Sequence, residues 1–289
     1  MANLSAGNIE QLNALIRECG HQARRMAAES FQVFEKGLED YVTTVDRLLD
    51  EQLARGVTAL FPTDDVITEE NPNSQQAFAN AQGRLWMIDP IDGTEDFIKG
   101  GSHYSVMVGL WERGVPQLGW IYAPVFDQLY FGGKQMGLFR LDGTLPQPTV
   151  TPLVPQEPAS PSRGYCPVII GDRDVRQYGE AIAQLIPEAQ FSSLGSFGLK
   201  VMEVIQGRAG IYVYFNRRVK LWDTVGPVAL AQAAGLVCCD LEGKPLEFTP
   251  EVVDTETLIH RQTIMIGWPV YVETLRSRLQ QAVMQKQSR

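Results

Sequence analysis

Residues 85–94 read Leu-Trp-Met-Ile-Asp-Pro-Ile-Asp-Gly-Thr, an apolar run that passes without a spacer into two aspartates, a proline and a glycine. Four apolar residues in a row, ending in acids, predict a buried strand, because the run has no polar face to turn to water. Pro90 ends the ladder by removing a donor, and Gly93 permits a backbone angle or a close approach denied to other residues. Thr94-Glu95-Asp96-Phe97-Ile98 reads as the first turn of a helix, whose free N–H groups suit an anion such as phosphate. Asp89 and Asp92 beside that turn suit a hard cation such as Mg²⁺, which takes oxygen ligands. Taken alone, the motif also fits a tight turn with a threonine cap and two solvated aspartates.

The surrounding sequence predicts layers for such a strand. Ile9, Leu12, Leu15, Ile16 and Cys19 recur at helical spacing, so an amphipathic helix is expected over 7–28. A second is expected from Thr43 or Thr44, residues suited to an N-cap, to near Gly56. Val66-Ile67-Thr68 predicts a strand ending at Glu69-Glu70. Segments 104–111, 118–123 and 128–132, divided by Gly/Pro-containing turns, predict an antiparallel meander. In the second half, strands at 168–170, 211–214 and 236–239 alternate with helices at 173–186, around 199–205, at 223–234 and at 272–285, an α/β pattern. Six prolines between 146 and 161 mark 146–163 as a linker or surface loop. It would divide an N-terminal α+β domain (1–145) from a C-terminal α/β domain (164–289).

Composition narrows the function. Lys plus Arg number 25 against 34 Asp plus Glu, a net charge of −9, which argues against a nucleic-acid polymer as partner. A small phosphate ligand stays open, since a bound cation reverses the local sign. The apolar runs fall short of the roughly 20 residues of a membrane helix, and the first residues lack the basic and apolar blocks of a secretory signal. Cys19, Cys166, Cys238 and Cys239 form no CxxC pair and read as buried thiols of a reducing compartment. A cytoplasmic protein is expected.

Other acidic positions are weak singly. Glu69-Glu70 could be solvated acids, Asp223 an ordinary helix cap, Asp40-Tyr41-Val42-Thr43-Thr44-Val45-Asp46 a capped helix start, and Gly195-Ser196-Phe197-Gly198 either a phosphate-facing turn or a helix entrance. Their order is more specific. Asp40-x-Val42-Thr43-x-x-Asp46, Glu69-Glu70, Asp89-Pro90-Ile91-Asp92-Gly93-Thr94, Gly195-Ser196 and Trp222-Asp223 together resemble the lithium-sensitive, magnesium-dependent phosphomonoesterases. That superfamily includes inositol monophosphatases and 3′(2′),5′-bisphosphate nucleotidases, and the resemblance spans about residues 9–270. It implies a layered αβαβα sandwich with the metal site between its halves. It implies Glu69, Asp89, the Ile91 carbonyl, Asp92 and Asp223 as ligands for two or three Mg²⁺ ions, and Gly93 and Thr94 as phosphate-binding N–H donors. Thr94 with Asp46 would position or deprotonate the attacking water, and Glu70 would act from behind the ligands. The family's members are monomers or homodimers.

The substrate is less sharply written. Inositol monophosphatases usually carry a glutamate seven residues before the Trp-Asp aspartate; Asn216 stands there in this chain. Gly195-Ser196 with Lys200, and Lys220-Leu221-Trp222-Asp223-Thr224, resemble the bisphosphate nucleotidases instead. A second phosphate calls for more cationic donors, and Lys200, Lys220, Arg217 and Arg218 are candidates, unless they form a solvated basic face. The reading is a nucleotidase that converts 3′-phosphoadenosine 5′-phosphate to AMP and phosphate, a reaction of sulfate assimilation. The alternatives are an inositol-1-phosphate, sugar-phosphate or histidinol-phosphate phosphatase, and a non-catalytic metal- or phosphate-binding regulator on the same scaffold.

Overall fold

A strand with no polar face must be covered on both sides, and the fold does this for residues 84–92 by stacking helices above and below. The computed structural model describes residues 4–37, 40–79, 83–143, 148–162 and 164–287. Its first half runs α1 (Ala6–Ala27), the hairpin β1 (Val33–Gly37) and β2 (Asp40–Thr43), α2 (Thr44–Leu60), β3 (Asp65–Thr68), the single-turn α3 (Gln76–Ala79), β4 (Arg84–Asp92) and α4 (Thr94–Ile98). The meander follows as β5 (Ser105–Glu112), β6 (Val115–Ala123), β7 (Gln128–Gly133), β8 (Gly137–Asp142) and β9 (Thr149–Pro152). The second half is β10 (Pro167–Ile170), α5 (Asp172–Leu185), β11 (Gln190–Ser192), α6 (Phe197–Ile205), β12 (Ile211–Tyr214), α7 (Leu221–Ala233), β13 (Val237–Cys239), β14 (Ile264–Gly267) and α8 (Pro269–Gln287).

β3 to β9 form one seven-stranded sheet in sequence order, antiparallel except for the β3–β4 pair. The five-stranded sheet has the order β11-β10-β12-β14-β13. Period-two alternation assigns the faces of the larger sheet. Trp86 and Ile88 of β4, Val106 and Val108 of β5, and Trp120 and Tyr122 of β6 pack with α1 and α2. Leu85, Met87, Met107 and Ile121 face the other way, into the core shared with α6, α7 and the smaller sheet. α5 and α8 pack on each other outside that smaller sheet. The result is the expected αβαβα sandwich.

Three glycines set how closely α7 approaches. A Cβ on Gly109 would lie 2.5 Å from the Gly226 nitrogen, and one on Gly119 would lie 2.1 Å from the Gly226 carbonyl oxygen. The backbone of α7 therefore rests directly on β5 and β6.

Some elements differ from expectation. α2 continues past Gly56 to Leu60, because Gly56 is a packing residue: a Cβ there would lie 2.5 Å from the Leu15 side chain of α1. The hairpin β1–β2 and strands β8, β11 and β14 have no counterpart in the sequence reading. Within the expected linker, residues 149–152 pair with β8 as the edge strand β9. Beyond it, Gln156 N donates to the Ile205 carbonyl (2.9 Å) and the Tyr271 hydroxyl to the Ala159 carbonyl (2.7 Å). Residues 144–147 and 163, where the expected boundaries fall, lie outside the described residues. Among the described residues no helix is long and apolar enough to cross a membrane.

Candidate active site

Simple strand alternation would point Asp89 and Asp92 to opposite faces of the sheet. The register prevents this. Asp89 pairs with Met107 and Asp92 with Ser105, so three steps on β4 match two on β5, with Pro90 inside the irregularity. This one-residue bulge brings both carboxylates to the inner face, where α7 lies. Oxygen atoms of Asp89, Asp92 and Asp223 all fall within 4.8 Å of one another. Asp223 comes from the first turn of α7, where its carboxylate accepts the Lys220 N–H (2.6 Å). It is part of a helix cap as well as part of the acid cluster.

Asp92 is also a structural anion. Its Oδ1 accepts the Phe197 N–H (2.9 Å), and its Oδ2 accepts the Gly198 N–H (2.8 Å) and the Ser196 hydroxyl. The Ser105 hydroxyl lies 3.3 Å from the same oxygen. Asp92 thus fills the N-terminus of α6, the position at which the sequence left open a phosphate-facing turn. Ser196 is fully buried, and its oxygen also accepts the Leu199 N–H (2.9 Å). Gly195 lines the cleft beside it. Gly93 has φ +91°, and a Cβ there would lie 2.9 Å from the Ser196 nitrogen. Both the left-handed backbone and the contact with the next layer require glycine.

Glu69 extends the β3 ladder, donating its N–H to the Ile88 carbonyl (3.1 Å), and faces the same cleft as Asp92 and Asp223. Lys36 of β1 pairs with it. Its ammonium lies 3.3 Å from a Glu69 oxygen and contacts the Glu70 carboxylate. Glu70 N–H in turn donates to Asp50 (3.2 Å), which also accepts the Thr68 hydroxyl (2.8 Å). Burial, and then the charge of Glu69, push the Glu70 carboxyl up to about 7.

Asp46 joins the site from α2. The Thr43 N–H (2.8 Å) and the Thr43 hydroxyl both bond its Oδ2, completing a capping box. Its other oxygen lies 3.2 Å from the Thr94 hydroxyl, which also lies 2.9 Å from the Ile91 carbonyl oxygen. Burial pushes Asp46 up to about 6 against the pull of the Thr43 bonds. Asp89 is raised by burial first, then by Glu69, Asp92 and Asp223. Asp223 rises for the same reasons. In Asp92, burial outweighs the bonds from Ser196, Gly198 and Phe197.

Such a cluster of buried, mutually repelling carboxylates fits a divalent cation. The donors are all oxygen, the choice of hard ions such as Mg²⁺. Glu69, Asp89, Asp92 and Asp223, with the Ile91 carbonyl, are the groups that would hold it.

On the other wall of this cleft, of about 290 Å³, stand Arg173, Lys200, Tyr212, Tyr214, Arg218 and Lys220. The Lys220 ammonium lies 5.0 Å from the Trp222 ring centroid. A second cleft of about 540 Å³ adjoins it and shares Gly93, Arg173, Gly195, Lys200 and Tyr214. Asn216 lines this second cleft. Arg217, with φ +53°, lines neither of the two.

The whole chain can now be compared with known proteins. The profile of the inositol monophosphatase family matches residues 8–281. The chain belongs to that family. It is accordingly a metal-dependent phosphatase, and the buried acid cluster between its sheets could hold a metal ion. A 3′(2′),5′-bisphosphate nucleotidase CysQ from Escherichia coli O157:H7 is 31% identical over 244 residues, 84% of this chain and 94% of that one. A histidinol-phosphatase from Chlorobaculum parvum is 29% identical over 239 residues, 82% of this chain and 84% of that one. The solved structure of a Thermotoga maritima IMPase superposes with a TM-score of 0.76 at 22% identity, covering 95% of this chain and 97% of that one.

The sequence reading missed Lys36, Ser105, Arg173 and Tyr212. Lys36 lies on a short exposed strand without periodicity, and Ser105 meets Asp92 only through the strand register.

Proposed function

We propose that this family member is a magnesium-dependent 3′(2′),5′-bisphosphate nucleotidase that hydrolyses 3′-phosphoadenosine 5′-phosphate to AMP and phosphate. The observation that carries the reading is the pair of joined clefts. One end holds the acids, and Arg173 and Lys200 stand at the seam between the clefts. A cationic seam suits a substrate that is anionic at both ends. Asn216, in place of the glutamate of inositol monophosphatases, supports the same choice, as does the likeness to the E. coli nucleotidase.

In this reading Glu69, Asp89, Asp92, Asp223 and the Ile91 carbonyl hold the cations. Bound Mg²⁺ supplies a water of lowered pKa and stabilises the leaving oxygen. The Thr94 hydroxyl, oriented by Asp46, positions that water. The Gly93 and Thr94 N–H groups receive the scissile phosphate. Glu70 holds Lys36 and Asp50 in place behind the ligands. Lys200 and Lys220 face the rest of the substrate, while Gly195 and Asn216 shape the clefts and Ser196 fixes Asp92.

A second reading, a histidinol- or sugar-phosphate phosphatase, is favoured by the Chlorobaculum relative. Phosphate release with Mg²⁺ from 3′-phosphoadenosine 5′-phosphate, inositol 1-phosphate and histidinol phosphate separates them. A kcat/KM about a hundredfold higher for the nucleotide, roughly 2.7 kcal/mol of transition-state preference, is expected. Equal or reversed preference overturns the nucleotidase assignment.

A further inference from the structure

His260 is fully buried and lines neither cleft, yet it is tied to the turn that delivers Asp223. Its ring packs edge-on against Phe248, with centroids 5.1 Å apart, and its Nε2 lies 2.8 Å from the Thr224 hydroxyl oxygen. Its Nδ1 has no hydrogen-bond partner among the described residues. Burial pushes the imidazole down to about 4, so the ring is neutral at ordinary pH and carries one proton. A proton on Nδ1 would be a buried N–H with nothing to receive it, whereas one on Nε2 meets the Thr224 oxygen. The Nε2–H tautomer follows, with Thr224 as acceptor. The Thr224 hydroxyl hydrogen is then left for the Lys220 carbonyl at 3.1 Å, with the Leu221 carbonyl at 3.3 Å. Lys220 is also the residue whose N–H holds the Asp223 carboxylate (2.6 Å).

The segment around His260 holds the same turn through its backbone. His260 N–H donates to the Val219 carbonyl (3.0 Å), and Leu221 N–H donates to the Leu258 carbonyl (3.1 Å). Leu258, fully buried, has φ +58°, a left-handed backbone that side chains of its kind rarely adopt. Such strain persists only where the surrounding structure enforces it. Asp223 must stay within 4.8 Å of Asp89 and Asp92 against their repulsion. It stands on a different element from theirs, so its place depends on how α7 begins. We infer that His260 is a positioning residue for the metal site: through Thr224 and the Lys220 carbonyl it fixes the first turn of α7, and so sets the affinity of the acid cluster for a divalent cation. The inference rests on the acid cluster as a metal site and not on the choice of substrate.

The test is a calorimetric titration of Mg²⁺ into substrate-free protein, with the melting temperature in chelator measured beside it. His260→Leu and Thr224→Val each remove the bond. Each should weaken Mg²⁺ binding about tenfold, the scale of loss when a group that orients a metal ligand is removed. The double variant should bind no more weakly than the worse single, since both changes break one relay. A glutamine amide can reach the place of Nε2, and an asparagine amide only that of Nδ1. His260→Gln should therefore recover most of the affinity, and His260→Asn should be as weak as His260→Leu. If His260→Leu does not fold, Thr224→Val, of the same shape as wild type, carries the test. Variants that melt lower in chelator but bind Mg²⁺ as tightly as wild type make His260 structural only and overturn the inference. So do additive losses in the double variant, or a His260→Gln protein as weak as His260→Leu. If wild type itself takes up no Mg²⁺, the metal site fails, and the positioning role with it.

Discussion

Asp89→Asn should make the metal-free protein more stable while abolishing its chemistry. Asp89 is buried, and among the described residues its only hydrogen bond is the one its Oδ1 accepts from the Ile91 N–H (3.0 Å). An asparagine keeps that bond with its own oxygen and offers its amide N–H groups to Asp92 and Asp223. It also removes one charge from three that lie within 4.8 Å. At that separation and an effective dielectric constant of 20, each like-charge pair costs about 3 kcal/mol. Proton uptake by the cluster relieves part of this, which leaves an expected net gain of about 2 kcal/mol, or roughly 5 °C in melting temperature for a chain of this size. The assay is thermal unfolding at pH 8 in a chelator and then with excess Mg²⁺. Wild type should start lower and rise steeply with Mg²⁺, because a ligand that binds only the folded state stabilises it. The variant should start higher, respond weakly and release no phosphate. A variant that melts below wild type in chelator, or gains as much from Mg²⁺, refutes the reasoning that the cluster is a repulsive metal site.

Asp92→Asn should behave oppositely in stability. Each Asp92 oxygen accepts a backbone N–H of α6, so an amide N–H₂ must face one of them however it turns. A net loss of about 2 kcal/mol is expected, read as a lower urea midpoint in chelator; an unchanged midpoint would show that α6 does not depend on this carboxylate. Gly93→Ala must hold φ +91° and push against the Ser196 nitrogen. Displacing that turn should lower kcat/KM about a hundredfold, and near-normal turnover would remove Gly93 from the phosphate site. The Asp46 and Glu70 carboxyls, at about 6 and about 7, lie above their ordinary values, so the folded state holds protons that the unfolded state has released. Their stabilising contribution is therefore fully present below about pH 4 and lost progressively as pH rises from there to the folded values of about 6 and about 7, roughly 3 kcal/mol for each group over the whole interval at 1.4 kcal/mol per unit. Urea midpoints of metal-free protein between pH 5 and 8 should fall; a rise over that window would contradict the sign.

What could be read in the sequence was whatever is local. Helical spacing located α1, and the uninterrupted run 85–88 located β4 with the acids at its end. Gly56 misled because glycine looks the same as a helix terminator and as a seat for another helix, and only the position of Leu15 distinguishes the two. The edge strand β9 was hidden by prolines, which an edge tolerates because one side of its ladder is empty. At the site, the chain order of the acids pointed to the family and to metal chemistry. The occupant of the α6 N-terminus could not be read, since Asp92 and Ser196 are 104 residues apart in the chain.

The direct seating of α7 on β5 and β6 separates what this architecture must conserve from what it is free to vary. Asp89, Asp92 and Asp223 all belong to the seven-stranded sheet or to the helix pressed against its backbone, with no side chain between to act as a cushion. Their spacing is therefore as rigid as the sheet. Arg173 and Tyr212 belong to α5 and the five-stranded sheet, which meet the first sheet through side chains that can repack. Substitutions in that second layer can reshape the opposite wall of the cleft and leave the acid cluster undisturbed. One rigid phosphatase bed with an exchangeable wall is a physical route by which a single scaffold comes to serve many phosphorylated metabolites.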